Sequence, residues 1–281
     1  MNWFLLAIIS IVTISIANLF QRVVMKEPES DPLGSSIFFQ FILAFITGLF
    51  ALLKGFTVPP IFQYPLNFVV SSCFYALGTL SFFKAAKKIG ASEITILTSL
   101  GTIVTIVGAV VFLGETFTLR QFIATLLILG AVIMAQGKII FSKNVGSFYA
   151  VLGTSFYGLA VVSDTHILKN YDAISYTPII SLLPGVILLI ANPKVISRFK
   201  KFANLKYLKN IFLYSFFYGL QAITYYLALN YGANASQMAP LFRAEIILTV
   251  LLAAVFLRER ERLGIKAFSA LIVISGLILI R

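Results

Sequence analysis

Charged residues are scarce in this sequence. Asp, Glu, Lys and Arg together make up 11% of its 281 residues, whereas soluble domains contain about 25%. Hydrophobic residues make up 59% of the chain, and the mean hydropathy is +0.97. Apolar runs of about 20 residues recur from end to end, and each is long enough to cross the hydrocarbon core of a bilayer. The composition excludes most soluble enzymes and predicts an integral, multi-pass membrane protein.

Cysteine and histidine are almost absent as well. The single cysteine, Cys73, lies within an apolar run, which excludes an intrachain disulfide and a cysteine-based metal site. One histidine, His166, cannot build a histidine-rich metal site. The chain also lacks a glycine-rich phosphate loop and a nucleophile with a base at a recognised spacing. We therefore expect no metal, no cofactor, no enzymatic activity and no ATP-driven pumping.

Breaks between the apolar runs predict an all-α membrane protein with ten transmembrane helices. The first span begins at residue 3 without a charged leader or a small-residue cleavage site, which favours a retained helix over a signal peptide. Few breaks are long enough for substantial loops, so we expect the function to lie within the helix bundle. The predicted spans are 3–25, 35–53, 66–86, 91–113, 117–137, 146–168, 173–191, 207–230, 234–257 and 263–280.

The basic residues predict an orientation in the membrane. The net charge is +12, but most Lys and Arg residues lie in short breaks between spans, which fits loop anchoring better than nucleic-acid binding. The breaks after the odd-numbered spans, together with the span ends that border them, contain 17 of them, whereas the even-numbered breaks with their bordering span ends and the termini contain 4. The positive-inside rule therefore predicts that both termini lie outside. We expect the plasma (inner) membrane as the location.

The chain contains an internal repeat with an offset of 144 residues. Ala91-Ser92 aligns with Ala235-Ser236, and Phe-Leu-Gly-Glu at 112–115 aligns with Phe-Leu-Arg-Glu at 256–259. Further on the offset becomes 146, which a two-residue insertion near Arg260 explains. Five spans in each half give the halves opposite orientations, as in the inverted repeats of many secondary transporters. The predicted domains are two inverted five-helix repeats, 1–144 and 145–281, with duplicated scaffolding as the alternative.

These residues also carry a family resemblance. Ala-Ser opens the fourth and ninth helices, and the apolar runs end in Phe-Leu-Gly-Glu115 and Phe-Leu-Arg-Glu259. Spans 3 to 5 and 8 to 10 thereby resemble the two EamA-type units of the drug/metabolite transporter (DMT) superfamily. The resemblance implies a ten-helix carrier that moves small metabolites, often outward, through a central cavity lined chiefly by the third, fourth, eighth and ninth helices. It also implies cytoplasmic termini, so the orientation stays open.

Two charges fall near the middle of the ninth span, where a charge costs roughly 2.5–3.5 kcal/mol on insertion scales. These are Arg243 and Glu245, and helical geometry points side chains two residues apart in different directions. We expect one to face a substrate cavity and the other to pair with a neighbouring helix. Pro240 removes a backbone donor and predicts a local break of the kind that carriers place beside a binding site. A purely structural ion pair is the alternative.

The sixth span contains Asp164 about four residues from its end. We assign it a structural or coupling role, with Arg243 as its candidate partner and protons as the candidate coupling ion. A solvated aspartate at the membrane interface is the alternative.

The eighth span has a polar stripe on one face. Tyr214, Tyr218, Gln221 and Tyr225 are spaced i, i+4, i+7 and i+11. Because Tyr218 and Gln221 fall mid-span, where a hydroxyl and an amide need partners, the pattern favours cavity lining. The aromatic belt at the membrane interface is the alternative.

Two further spans supply candidate substrate-binding residues. In the fourth span Thr95, Thr98, Thr102 and Thr105 form a hydroxyl stripe, of which Thr98 and Thr102 are predicted to line the cavity, with helix packing as the alternative. Tyr75 of the third span is predicted to face the cavity opposite Tyr218.

The leading interpretation is a secondary-active transporter that exports small metabolites by alternating access around a central cavity. The tyrosine-rich wall favours amino acids or aromatic compounds as substrates. We expect the small-molecule substrate and the lipid bilayer as partners, with protons as the candidate coupling ion and no nucleic acid. An uncoupled, channel-like facilitator would show flux without saturation or exchange. An intramembrane enzyme would turn over a lipid-linked substrate.

The charge count predicts a cytoplasmic loop at 192–206. A cysteine introduced at Ser197, in a chain whose Cys73 is replaced by serine, should resist a membrane-impermeant thiol reagent in intact cells and react once the cells are opened. Labelling in intact cells would contradict the charge count and favour the cytoplasmic termini that the family resemblance implies.

Overall fold

The computed structural model describes residues 2–26, 31–58, 60–89, 94, 97–136, 145–202, 204–249 and 263–280. Within these ranges the regular secondary structure is helical, without strands. A 3-10 helix, Pro193–Phe202, follows the seventh α-helix. The α-helices are α1 (Trp3–Lys26), α2 (Pro32–Lys54), α3 (Pro65–Lys88), α4 (Leu100–Leu113), α5 (Leu119–Gln136), α6 (Val145–Leu168), α7 (Ala173–Ala191), α8 (Leu205–Asn230), α9 (Ala235–Phe242) and α10 (Leu263–Ile280).

In the described part of the chain, six helices are long and apolar enough to cross a membrane: α1, α2, α3, α6, α7 and α8. Helices α4, α5 and α10 are apolar but shorter, and helical residues 244–249 continue α9 beyond a turn at Arg243. The protein is therefore an all-helical, multi-pass membrane protein, as its composition predicts. The count of ten spans, the opposite orientation of the halves and the domain limits stay predictions.

Two of the three aspartates cap helices. Asp31 Oδ2 accepts a hydrogen bond from Gly34 N at 3.1 Å, at the start of α2, and Asp172 Oδ2 accepts one from Ser175 N at 2.7 Å, at the start of α7. Such caps satisfy backbone donors that have no partner within the helix. The third aspartate, Asp164, is the one placed inside a membrane-spanning helix.

Helix packing follows the internal repeat. Helix α3 packs along α6, and α1 packs along α8. Because the repeat makes α6 the counterpart of α1 and α8 the counterpart of α3, these two pairs are equivalent. Helix α2 packs against its own counterpart α7, and α5 packs against α10. The two halves therefore contribute equivalent faces to the interior.

The repeat is also present in the local backbone of the fourth and ninth spans. Ser99 and Arg243, which the 144-residue offset aligns, both lie at a turn between helical segments, with φ and ψ of −63° and −24° and of −63° and −16°. Their carbonyls accept from Thr102 N and Ile246 N, both at 3.1 Å. At Arg243 this is the break that Pro240 predicts. The aligned pair Ala91-Ser92 and the motif at 256–259 lie outside the described residues.

Small residues bring α4 and α6 into backbone contact. A Cβ atom on Gly101 would clash with Thr154 Oγ1 and lie 3.0 Å from the Thr154 carbonyl oxygen, and one on Gly158 would lie 3.1 Å from the carbonyl oxygen of Gly101. Close approach through small residues is the usual means of helix association in lipid, where burial from water supplies no driving force.

A carboxylate joins the two halves at the end of α4. Gly114 ends this helix with a φ of +66°, and the next residue, Glu115, accepts hydrogen bonds from Ala235 N at 2.9 Å and Ser236 N at 2.8 Å. These are free donors in the first turn of α9, so Glu115 caps that helix and places a negative charge at its positive end. The fourth span is thereby fixed to the ninth.

Replacing Gly101 with alanine should push α4 away from α6. Overpacking of this kind destabilises proteins by about 1–3 kcal/mol, so the Tm of the purified protein in detergent should fall. Gly130→Ala is the matched control, because Gly130 also lies within a helix and its Cβ would have no neighbour within 4 Å. An equal Tm for both variants would contradict the close contact.

Candidate functional site

A cavity of about 140 Å³ lies between the two halves of the helix bundle. Helices α1 to α4 and α6 to α9 contribute to its wall, so both repeats build it. Its volume is below the roughly 300–1,000 Å³ of pockets that hold drug-sized ligands, which favours a small ligand. Aromatic rings form much of the wall: Phe39, Tyr75, Tyr157, Tyr218, Tyr225, Tyr226 and Phe242.

The structure brings half of the predicted site residues together at this cavity. They come from α3, from α8 and from the turn after α9, and they are Tyr75, Tyr218, Gln221, Tyr225 and Arg243. The other predicted residues are not part of the wall: Thr98, Thr102, Asp164, Pro240 and Glu245.

The tyrosine stripe of α8 divides between cavity and core. Tyr218, Gln221 and Tyr225 line the cavity. Tyr214 is buried, stacks on Phe39 with a centroid distance of 4.6 Å, and accepts a hydrogen bond from Gln21 Nε2 at 3.2 Å. Its ring therefore packs α8 against α1 and α2.

The two charges of the ninth span have different surroundings. Arg243 lines the cavity with a side chain that is 17% exposed, and its Nη1 lies 3.9 Å from Glu245 Oε1, near the outer limit of an ion pair. Glu245 Oε2 accepts a hydrogen bond from Asn18 Nδ2 of α1 at 2.6 Å. Among the described residues, the buried Nε of Arg243 has no hydrogen-bond partner. The guanidinium therefore has a buried donor without a partner, in a side chain that lines the cavity.

Asp164 is fully buried, so it is not the solvated interfacial aspartate that its distance from the span end allowed. Its Oδ1 lies 2.6 Å from the Tyr176 hydroxyl, and its Oδ2 lies 2.6 Å from that of Tyr75 and 2.7 Å from that of Tyr226. These tyrosines belong to α7, α3 and α8. The carboxyl group thus contacts tyrosines, whereas the ion pair of Arg243 in the described residues is with Glu245.

Helix α4 presents Gly101 and Thr105 to the cavity in the place expected for Thr98 and Thr102. The Thr102 hydroxyl is buried without a hydrogen-bond partner among the described residues, and the Thr98 carbonyl accepts a hydrogen bond from Thr154 Oγ1 at 2.9 Å. Thr95, of the same predicted stripe, lies outside the described residues. Adjacent stripes on a helix have the same period, so the pattern alone does not say which one faces the cavity.

Sequence reasoning missed a polar group in the cavity wall. Gln40 Nε2 donates to Thr79 Oγ1 at 3.0 Å, and this hydroxyl lies 2.7 Å from that of Tyr157. The chain of hydrogen bonds crosses from α2 through α3 to α6, and Gln40 and Tyr157 line the cavity. A glutamine within the apolar second span was the available signal, because an amide at membrane depth needs a partner.

Comparison with known proteins gives a family and a fold. The model of the EamA-like transporter family matches residues 1–136 and again residues 144–281. A solved crystal structure superposes with a TM-score of 0.77 at 13% identity, covering 99% of this chain and 95% of that chain. At this identity the likeness establishes the fold alone. No curated protein matches the chain in sequence.

Cysteine substitution along α8 should reveal a water-accessible stripe. In a chain without Cys73, cysteines at 218, 221 and 225 should react with a small polar thiol reagent because these positions line the cavity. A cysteine at Phe216, which is exposed on the outer surface of the bundle, should stay unreactive in lipid. A cysteine at Tyr214 should react slowly. Reaction at 216 with protection at 218 and 221 would show that the stripe packs against protein.

Proposed function

Since the chain belongs to the EamA-like transporter family, we propose that it is a secondary-active carrier of small metabolites that bear an anionic group on an apolar or aromatic body. Amino acids and aromatic acids are compounds of this class. We propose outward transport, the direction that the family resemblance implies. Alternating access would occur by movement of one half against the other around the cavity.

Arg243 is the observation that carries this proposal. Guanidinium groups bind carboxylates through several charge-assisted hydrogen bonds, and a charge deep in a membrane protein typically marks a substrate pathway. Its Nε is free of partners in the described residues, and its contact with Glu245 is long. Ser99, which the 144-residue offset aligns with Arg243, lies at the equivalent backbone turn of the first half and is uncharged. The scaffold therefore does not require a charge there, which supports a role in binding.

The remainder of the wall fits the apolar part of such a substrate. The Tyr225 ring lies 5.3 Å from the Phe242 ring in an edge-to-face arrangement. Phe242 directly precedes Arg243 in the chain. Tyr218 and Tyr157 face the same space. Aromatic side chains bind apolar and aromatic bodies while their hydroxyls remain available for hydrogen bonds. A carboxylate at Arg243 would thus leave the body of the substrate among these rings.

The turns at Ser99 and Arg243 are suitable places for movement. Broken helices at corresponding positions in the two halves are the usual site of binding in inverted-repeat carriers. The Glu115 carboxylate holds the start of α9 to the end of α4, so this contact would act as a pivot between the two moving halves. Substrate binding at Arg243 would act directly on the backbone of one of the turns.

Arg243→Gln should abolish transport while leaving the protein folded. The change keeps a hydrogen-bonding side chain but removes the charge, and counterflow of radiolabelled phenylalanine in proteoliposomes measures the result. Arg120→Gln is the matched control, because Arg120 is exposed and its side chain is 3.4 Å from the Ile278 carbonyl. Counterflow also separates a carrier from a channel-like facilitator, which shows none.

A purely structural ion pair predicts a different pattern. Arg243→Gln alone would then lower the Tm, and adding Glu245→Gln would restore both stability and transport. Normal transport by this double variant would contradict the assignment of Arg243 to substrate binding.

A further inference from the structure

Three oxygen atoms form a closed ring at the back of the cavity. They are Asp164 Oδ2 and the hydroxyl oxygens of Tyr75 and Tyr226, separated by 2.6, 2.7 and 3.0 Å. All three separations are hydrogen-bonding distances. A fourth bond lies outside the ring, where the Tyr176 hydroxyl is 2.6 Å from Asp164 Oδ1.

The number of protons decides which state of Asp164 fits this geometry. Four hydrogen bonds join the carboxyl group and the three hydroxyls, and each bond needs one proton. With an ionised carboxylate the three tyrosines supply three protons, so both Tyr75 and Tyr226 point at Oδ2 and their oxygens face each other with no proton between them. With a neutral carboxyl group there are four protons for four bonds. The closed ring therefore fits the protonated form.

The described residues around Asp164 provide no competing charge. Among them, the titratable groups that face Asp164 are Tyr75 from α3, Tyr176 from α7, and Tyr225 and Tyr226 from α8. Helices α4 and α9 have no titratable side chain in their sequences. In the described part of the chain no cationic side chain pairs with this carboxyl group, and a buried charge without a cation is strongly disfavoured.

The Ser71 hydroxyl leaves the count within the ring unchanged. It is hydrogen-bonded to Asp164 and Tyr176 outside the three-oxygen ring, and its oxygen is 3.5 Å from the carbonyl oxygen of Ala160. It brings its own proton, so the three bonds of the ring still have only two tyrosine protons when the carboxyl group is ionised. The ring therefore depends on Asp164, Tyr75 and Tyr226 alone.

We propose that Asp164 is a proton-binding site, which holds a proton in the conformation described here and gives it to water in the cavity when the ring opens. Asp164 does not itself reach the cavity, but Tyr75 and Tyr226 line it. A substrate group or water that bonds to either hydroxyl breaks the ring, after which the carboxylate keeps the remaining tyrosine donors and the proton leaves as hydronium. The coupling of this step to substrate movement rests on the proposed function.

Infrared spectroscopy of the purified protein tests the site without a substrate. A protonated carboxyl group has a carbonyl stretching band separate from those of carboxylates and amides, and the chain has only 10 acidic residues to contribute. We expect a protonated-carboxyl band at neutral pH that is lost in Asp164→Asn. It should persist in Asp172→Asn, the matched control, since Asp172 caps α7 outside the cluster.

Two tyrosine variants identify the band even if Asp164→Asn fails to fold. With the proton on Oδ2 in the ring, Oδ1 is the carbonyl oxygen and the Tyr176 hydroxyl is its hydrogen-bond donor, so Tyr176→Phe should move the band to higher wavenumber. Tyr226→Phe leaves that bond in place, and the carboxyl group, still buried without a cation, should keep its proton and its band. A band that Tyr176→Phe leaves unchanged belongs to another carboxyl group and overturns the proposal.

Proteoliposomes that contain a pH-sensitive dye test the coupling. An imposed phenylalanine gradient should move protons in the wild type and in Asp172→Asn, and this proton movement should be lost in Asp164→Asn. If the wild type moves phenylalanine but shows no Asp164 band, the proton site is wrong and the proposed function stands. If it moves no phenylalanine, the proposed function fails for this probe, and the infrared result still decides the proton site. A band that falls on addition of NaCl at constant pH would assign the site to sodium and overturn the proposal.

Discussion

Within the bilayer, every buried polar group must find its partner inside the protein, and the arrangement of this bundle depends on that constraint. Water is absent from the hydrocarbon core, so an unsatisfied donor or charge there is costly. Glu245 is satisfied by Asn18 of another helix, and Asp164 by tyrosines from three other helices. Arg243 differs from both carboxylates, because its Nε has no partner in the described residues. Polar contacts thus hold the helices together, and an incompletely paired charge lies at the cavity.

The two halves share a helix-packing pattern and an equivalent backbone turn, and they differ in their side chains. Ser99 and Arg243 occupy equivalent turns, and the helix pairs exchange with one another under the repeat. The equivalent backbone gives both halves a broken helix at the cavity, which suits movement of one half against the other. The side chains at that position differ in charge, so the cavity can bind an asymmetric molecule within a nearly symmetric scaffold.

Two buried groups lie at different distances from the substrate space. Arg243 and the rings of Tyr218 and Tyr225 are at the wall, whereas Asp164 lies behind Tyr75 and Tyr226. Direct contact suits recognition of a substrate. A group behind the wall is reached through the hydrogen bonds of the tyrosines, which suits a proton that responds to the occupancy of the cavity. The distances and the burial of these groups make the two roles separable by experiment.

The sequence by itself determined the class of protein, the positions of the long helices, the repeat and the polar residues at membrane depth, because hydropathy, helical period and charge are local properties of the chain. It placed Arg243 beside the break at Pro240 and identified Asp164 as unusual. Only the tertiary structure decided that Gly101 and Thr105 face the cavity and that Asp164 meets three tyrosines. Those facts depend on the rotation of each helix about its axis and on contacts between residues distant in sequence, and neither is encoded in the period of a single helix.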